Sequence, residues 1–178
     1  MTNFQDIIFI DLEASSLSAE SWPIELGLCW LDERQKLRII SKLIKPDPSW
    51  PIESWSLRSQ RVHKIDLDEL QCAEDATEVA QWALGRLEGA MLLSDAAAHD
   101  NRWLGVLMAT IGQPDALKVE SIQEEVRRRF EGDAMSMFFK ANSAGGSAHR
   151  AAPDALRLGQ AWRAALRKQQ KIQEKTTM

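Results

Sequence analysis

The sequence predicts an α/β domain, a central five-stranded mixed sheet with helices on both faces. Three observations carry that reading. The chain opens with three strand-like runs in succession, and from about residue 74 strand-like and helical runs alternate. The helical runs at 74–87, 101–111 and 151–171 carry apolar residues along one side, so each must bury one face. Helices of that kind interleaved with strands pack on the two faces of one sheet.

The first strand reads from Asp6 to Asp11, where four large apolar residues, Ile7-Ile8-Phe9-Ile10, are ended by polar ones. Ala14 to Ser21 is a Ser-rich loop, and Ile24 to Leu31 is a second strand interrupted by Glu25 and Gly27. The charged turn Asp32 to Lys36 predicts a hairpin into a third strand, Leu37 to Ile44. Pro46, Pro48 and Pro51 impose an extended connection, followed by a short helix over Trp55 to Val62. Val79, Trp82, Ala83 and Leu87 share one face of a helix over Glu74 to Leu87. Met91 to Ser94 is the fourth strand, Asn101 to Ile111 a helix, and Leu117 to Glu120 the fifth strand. Ile122 to Lys140 is mostly helical, and Ala141 to Ala148 is a Gly-rich mobile loop. The last helix begins at Ala151, with Pro153 in its first turn where a missing N–H costs little, and runs to about Lys171.

At 178 residues the chain suits one domain, over 1–170, with a polar and frayed tail at 171–178. The 44% apolar and 27% charged content is that of a soluble globular protein. A formal net charge of −4 argues against a broad basic surface for duplex DNA, so any nucleic acid partner is a short or single-stranded end. Two cysteines, Cys29 and Cys72, imply neither a disulfide framework nor a cysteine metal site. No signal-like segment precedes Asp6 and no apolar run reaches membrane-spanning length, which predicts a cytoplasmic protein without a membrane partner.

Chemistry concentrates in three places. Asp11 and Glu13 alternate with Leu12, so a strand points both carboxylates one way. Such a pair also serves simply to end a strand in solvent. Asp95 and Asp100 follow the fourth strand and compete as a further ligand, Asp100 doubling as a helix-dipole partner. His149 and Asp154 stand five residues apart across a helix entry, where their plain roles are loop residue and helix-start charge. Carboxylates gathered this closely need divalent cations to neutralise them. A neutral His beside bound cations is a general base, and the set suits phosphodiester hydrolysis.

In this order the motifs resemble the DEDDh branch of the DnaQ-like 3′→5′ exonucleases, on a ribonuclease H-like fold. Asp11-Leu12-Glu13 matches the family's Asp-x-Glu. The run from Ser94 through Asp95, Ala96 and Asp100 to Trp103-Leu104 is close to a variant of its second motif, and His149, Ala151 and Asp154 match His-x-Ala-x-x-Asp. Val62-His63-Lys64-Ile65 resembles a His-Gly-Ile segment, with Lys64 where Gly is usual. The resemblance spans Ile7 to Trp162. It implies that Asp11, Glu13, Asp100 and Asp154 hold two Mg²⁺ or Mn²⁺ ions and that His149 is the general base. The product would be a nucleoside 5′-monophosphate released from a free 3′ end.

The same resemblance puts Ala14, Ser15, Ser16, Leu17, His63 and Asp95 against substrate, with Leu17 a wedge on the terminal base or simply loop packing. It extends to a homodimer, for which the chain offers no seam of its own. The family often has Thr-Thr-Gly or Thr-Gly where this chain has Ala14-Ser15-Ser16, so a hydroxyl is retained and the freedom of Gly is lost. Gly145-Gly146 would let His149 swing toward bound substrate. Trp50 and Trp55 read either as base-stacking platforms or, with the greater weight, as core. Arg127-Arg128-Arg129 reads as a phosphate contact or, with greater weight, a solvated face, and His99 as packing. The rival readings are a non-catalytic nucleic-acid-binding module, a partner-dependent proofreading-type subunit, and a metal-free α/β domain.

Overall fold

The computed structural model describes residues 7–146 and 148–176. Asp6, Ser147 and residues 177–178, which the sequence reading assigned to a strand start, a loop and a tail, lie outside them. The centre is strand β1 (Ile7–Ala14), paired antiparallel with β2 (Pro23–Leu31), which pairs antiparallel with β3 (Leu37–Lys45). On its other side β1 runs parallel to β5 (Met91–Ser94), and β5 parallel to β6 (Val119–Ser121). Two residues, β4 (Glu74–Asp75), pair parallel with the end of β3 and complete the order β4-β3-β2-β1-β5-β6.

The sheet therefore has six strands, not five. The extra one replaces what the sequence read as the first turn of a helix. Asp75 is extended, and Lys42 and Lys45 hold Glu74 and Asp75 as ion pairs, the second at 2.9 Å. Helix α3 then starts at Ala76 and ends at Leu87. Between β3 and β4 lie a 3₁₀ turn (Ile52–Ser54), α1 (Leu57–His63) and α2 (Leu67–Leu70), the last unforeseen. The β2–β3 hairpin forms as expected: the Asp32 carboxylate accepts the N–H groups of Arg34 and Lys36, each at 2.9 Å.

Helix α4 runs Ala97–Ala109, four residues earlier than expected. The Ser94 hydroxyl accepts the Ala96 N–H at 2.8 Å and turns the chain straight from strand into helix. Asn101, now inside the helix, grips Val119 by both its N–H and its carbonyl and so fixes β6 beside β5. Beyond β6 the helical stretch is two helices, α5 (Ile122–Arg129) and α6 (Gly132–Ala144), parted where Phe130 leaves the helix to become buried. Because α6 takes up Ala141 to Ala144, the Gly-rich loop is half as long as expected. The final helix, α7 (Ala151–Thr176), continues past Lys171. No helix among the described residues is long and apolar enough to cross a membrane.

Alternation along β1 divides the interior in two. Ile8, Ile10 and Leu12 face α3 and α4 through Val79, Ala83, Leu104 and Leu107. Ile7 and Phe9 face the other way, onto Val126, Phe138, Leu158 and Trp162. Trp162 lies tilted on Phe9 at 5.8 Å and edge-on to Phe130 at 4.9 Å, joining α7 to both sheet and loop. Trp162→Ala should lower stability by about 3–5 kcal/mol, read from the urea midpoint, because the site is enclosed on all sides.

Candidate metal centre and adjoining cleft

The alternation that sends Ile7 and Phe9 toward α7 sends Asp11 and Glu13 the same way. There they meet Asp154, in the first turn of α7. One carboxylate oxygen from each of Asp11, Glu13 and Asp154 lies within 4.8 Å of the others. Helix α7 can come this close only because β2 has no side chain at Gly27, the cross-strand partner of Asp11. A Cβ built there would stand 2.1 Å from the Ala151 carbonyl carbon and 2.4 Å from the Ala152 nitrogen.

Asp100 comes from the opposite face of the sheet. It is 1% exposed, accepts the Leu12 N–H at 3.1 Å, and takes a hydrogen bond from the Ser94 hydroxyl. It is thus tied to β1 at the residue between the two acids, beside the three-carboxylate group rather than within it.

The electrostatics are those of crowded acids. Burial, then the charge of Asp100, then that of Glu13, hold the Asp11 carboxyl well above the usual range. Burial and Asp154 push Glu13 up to about 7, with Arg150 opposing. Burial pushes Asp100 to about 7 despite the bonds from Ser94 and Leu12. An all-oxygen donor set that resists ionisation by itself fits hard divalent cations, which carry the missing positive charge.

Support comes from residues that sequence reasoning passed over. Arg157, one turn beyond Asp154, places Nη2 2.8 Å from Asp95 and Nε 3.7 Å from Asp154. Asp95 is therefore engaged with α7 and does not line the cleft beside the acids. Glu25 binds Arg150 and the Ala151 N–H. Its only sequence signal was an acid inside an apolar strand.

Beside the carboxylates is a cleft of about 520 Å³. Glu13, Ala14, Ser16, Leu17, His63, Trp103 and His149 border it, together with Ser56, Arg58, Ser59 and Val62 of the α1 segment. Ser15 turns inward instead. It is fully buried, its hydroxyl accepts the Trp22 N–H at 3.1 Å, and its carbonyl accepts the Ser56 N–H at 2.9 Å. Leu17 projects, 76% exposed, from a loop strapped by Arg102 to the Ser18 carbonyl and the Ser21 hydroxyl.

His63 is 2% exposed and its Nδ1 accepts the Ile65 N–H at 3.1 Å, which leaves the proton on Nε2. That buried Nε2 has no hydrogen-bond partner among the described residues. Burial and the charge of Arg150 lower the His63 pKa, so the ring stays neutral. Lys64 has φ 59°, the left-handed conformation that suits the glycine usual at this position in the resembled family. His149 is exposed and also left-handed, φ 52°.

Trp50 and Trp55 stack on buried Trp22 at 5.7 and 5.8 Å and pack a satellite core with Ile65 and Leu70. Arg128 and Arg129 pair with Glu125, and Arg127 lies over Phe139. His99 stacks on Trp103.

No family model and no curated protein matches the chain. Solved structures do. A full-length 3′-exonuclease superposes on 93% of this chain with a TM-score of 0.66 at 14% identity. A 3′-exonuclease solved for 3′-end recognition of a histone mRNA stem-loop superposes on 93% with 0.67, also at 14%. Exonuclease I of E. coli with a dT13 oligonucleotide superposes on 94% with 0.68 at 12%, and a zinc-bound form of its single-stranded DNA complex matches similarly. The chain spans 62%, 84% and 42% of the first three of these proteins. At such identities the likeness establishes the fold, the ribonuclease H-like sheet that these exonucleases share.

Proposed function

We propose that the chain is a metal-dependent 3′→5′ exonuclease acting on single-stranded or short nucleic acid. The observation that carries the reading is the approach of Asp11, Glu13 and Asp154 to within 4.8 Å, with Asp100 alongside. The exonucleases of like fold, solved with single-stranded DNA and for an mRNA 3′ end, lend it support.

Asp11, Glu13 and Asp154, with Asp100, would hold two Mg²⁺ or Mn²⁺ ions. When bound, such ions supply Lewis-acid activation of water and charge neutralisation at the phosphate. The remaining work falls to the chain. His149, at the cleft edge with Glu13, accepts the proton of the attacking water. His63 offers its buried Nε2–H to the terminal nucleotide, which gives that donor the partner it lacks among the described residues. Leu17 and Val62, 76% and 43% exposed, present apolar surface to a base. Ala14 and Ser16 line the cleft, while Ser15 holds the loop from behind.

The test is hydrolysis of 5′-labelled single-stranded DNA and RNA in Mg²⁺, Mn²⁺ and EDTA. Metal-dependent shortening from the 3′ end is expected, and the faster sugar identifies the substrate class. A folded protein that shortens neither oligonucleotide would overturn the reading. His149→Ala should cut kcat about 10²-fold or more while leaving Mn²⁺-induced stabilisation in place. A His149→Ala variant with full activity would remove His149 from the role.

A further inference from the structure

Glu25 is a buried carboxylate that the chemistry above does not use. It is 2% exposed and is the cross-strand partner of Glu13. Like charges directly opposite on neighbouring strands repel, so an acid kept here requires compensation. Arg150 provides it in a forked pair, Nε to Oε2 at 2.9 Å and Nη2 to Oε1 at 3.2 Å. The Ala151 N–H donates to the same Oε2 at 3.1 Å, and Ala151 is the first residue of α7. One side chain thus fixes two consecutive residues with three charge-assisted bonds.

The residue just before this clamp is His149. Its left-handed backbone is sparsely populated for a side chain other than Gly, and such a conformation persists only where its surroundings hold it. On one side the Ala148 N–H is bound to Asp154 Oδ1 at 3.1 Å. On the other, Arg150 and Ala151 are bound to Glu25. His149 is suspended between the two anchors at the edge of the cleft that Glu13 also borders.

We propose that Glu25 is a positioning residue for His149, holding its backbone through Arg150 and the Ala151 N–H so that the imidazole faces the carboxylate group. The proposal rests on the hydrolytic reading. Glu25 touches neither substrate nor the reacting atoms and acts only through the residues it holds.

Glu25→Gln keeps the shape and one acceptor while weakening the fork. It should lower kcat about 10- to 100-fold with KM changed less than about twofold, because the interaction is spent on aligning the base. Mn²⁺-induced thermal stabilisation should be unchanged, since Asp11, Glu13 and Asp154 remain. In a His149→Ala background the same substitution should cost less than about twofold, the signature of two residues acting as one unit. Arg150→Lys, which keeps the charge and loses the fork, should move kcat in the same direction and covers the case of a Glu25→Gln chain that fails to fold.

The histidine ring resonances give a readout independent of turnover, since there are only three histidines in the sequence. In metal-free Glu25→Gln the His149 signals should move toward those of a disordered histidine, with His99 unmoved. A folded variant with wild-type kcat, losses that multiply fully with His149→Ala, or unmoved His149 signals would each overturn the proposal. A wild-type protein that shortens no oligonucleotide would overturn the hydrolytic reading alone, and the ring signals would still decide the role of Glu25.

Discussion

Gly27→Ala is expected to cripple both stability and the metal centre. The added methyl would meet the backbone of the Ala151–Ala152 peptide, with the Ala151 carbonyl carbon at 2.1 Å and its oxygen at 2.4 Å. No rotamer relieves such a contact, so the start of α7 must move off the sheet. Overpacking of this kind costs about 1–3 kcal/mol or more. The displacement also carries Asp154 away from Asp11 and Glu13, and a misplacement near 1 Å can cost roughly 10²-fold in rate.

The control is Gly159→Ala, within α7 itself. There the neighbours are side-chain atoms, Cys29 Sγ at 2.7 Å, Leu37 Cδ2 at 2.9 Å and Phe9 Cδ2 at 3.2 Å. Side chains yield more readily than backbone, so Gly159→Ala should cost less stability than Gly27→Ala and leave Mn²⁺ binding intact. Urea midpoints and a Mn²⁺ thermal titration on both variants decide the matter. Equal Mn²⁺ responses in the two would mean that Gly27 does not control the position of Asp154.

Asp11→Asn is expected to abolish turnover and, without metal, to stabilise the fold. Loss of turnover follows from removing one of the clustered oxygens. The stabilisation follows from the sign of the linkage. Burial and four neighbouring acids raise the Asp11 carboxyl in the folded chain. A raised acid contributes its full share of stability below its unfolded pKa and loses it as pH rises through the folded value. With Glu13 and Asp100 also moved to about 7, the metal-free wild type should lose stability as pH rises from about 4 through about 7. Asn has no charge to bury, so the variant should melt a few degrees higher than wild type at pH 8, with the difference shrinking as pH falls toward about 3.5. For a chain of this size about 1 kcal/mol corresponds to roughly 2–4 °C.

Mn²⁺ should reverse the order at pH 8, since ligand at a hundred times its Kd adds about 2.7 kcal/mol to the wild type. A metal-free Asp11→Asn protein that melts below the wild type at pH 8 would contradict the picture of mutually repelling acids.

Much of the architecture was legible because it rests on periodicity. The run Ile7 to Ile10, the hairpin at Asp32 to Lys36 and the stripe on α3 all follow from local pattern. What escaped depends on contacts distant in sequence. β4 is two residues long and exists through pairing with Ile44 and Lys45, which no local pattern announces. The inward turn of Ser15 depends on Trp22 and Ser56. Glu25 and Gly27 looked like interruptions of an apolar strand. They are the points where a helix from 125 residues away is fastened and admitted.

The division of the interior by β1 has a consequence for how the chain acquires its chemistry. Asp154 is delivered by the layer containing α7, and Asp100 by the layer containing α4, on opposite sides of one strand. Neither layer alone assembles the four acids. A folding intermediate with one side docked and the other open would hold only a partial set. Transient opening of either side, as hydrogen exchange would detect it, should silence the centre before the sheet itself comes apart.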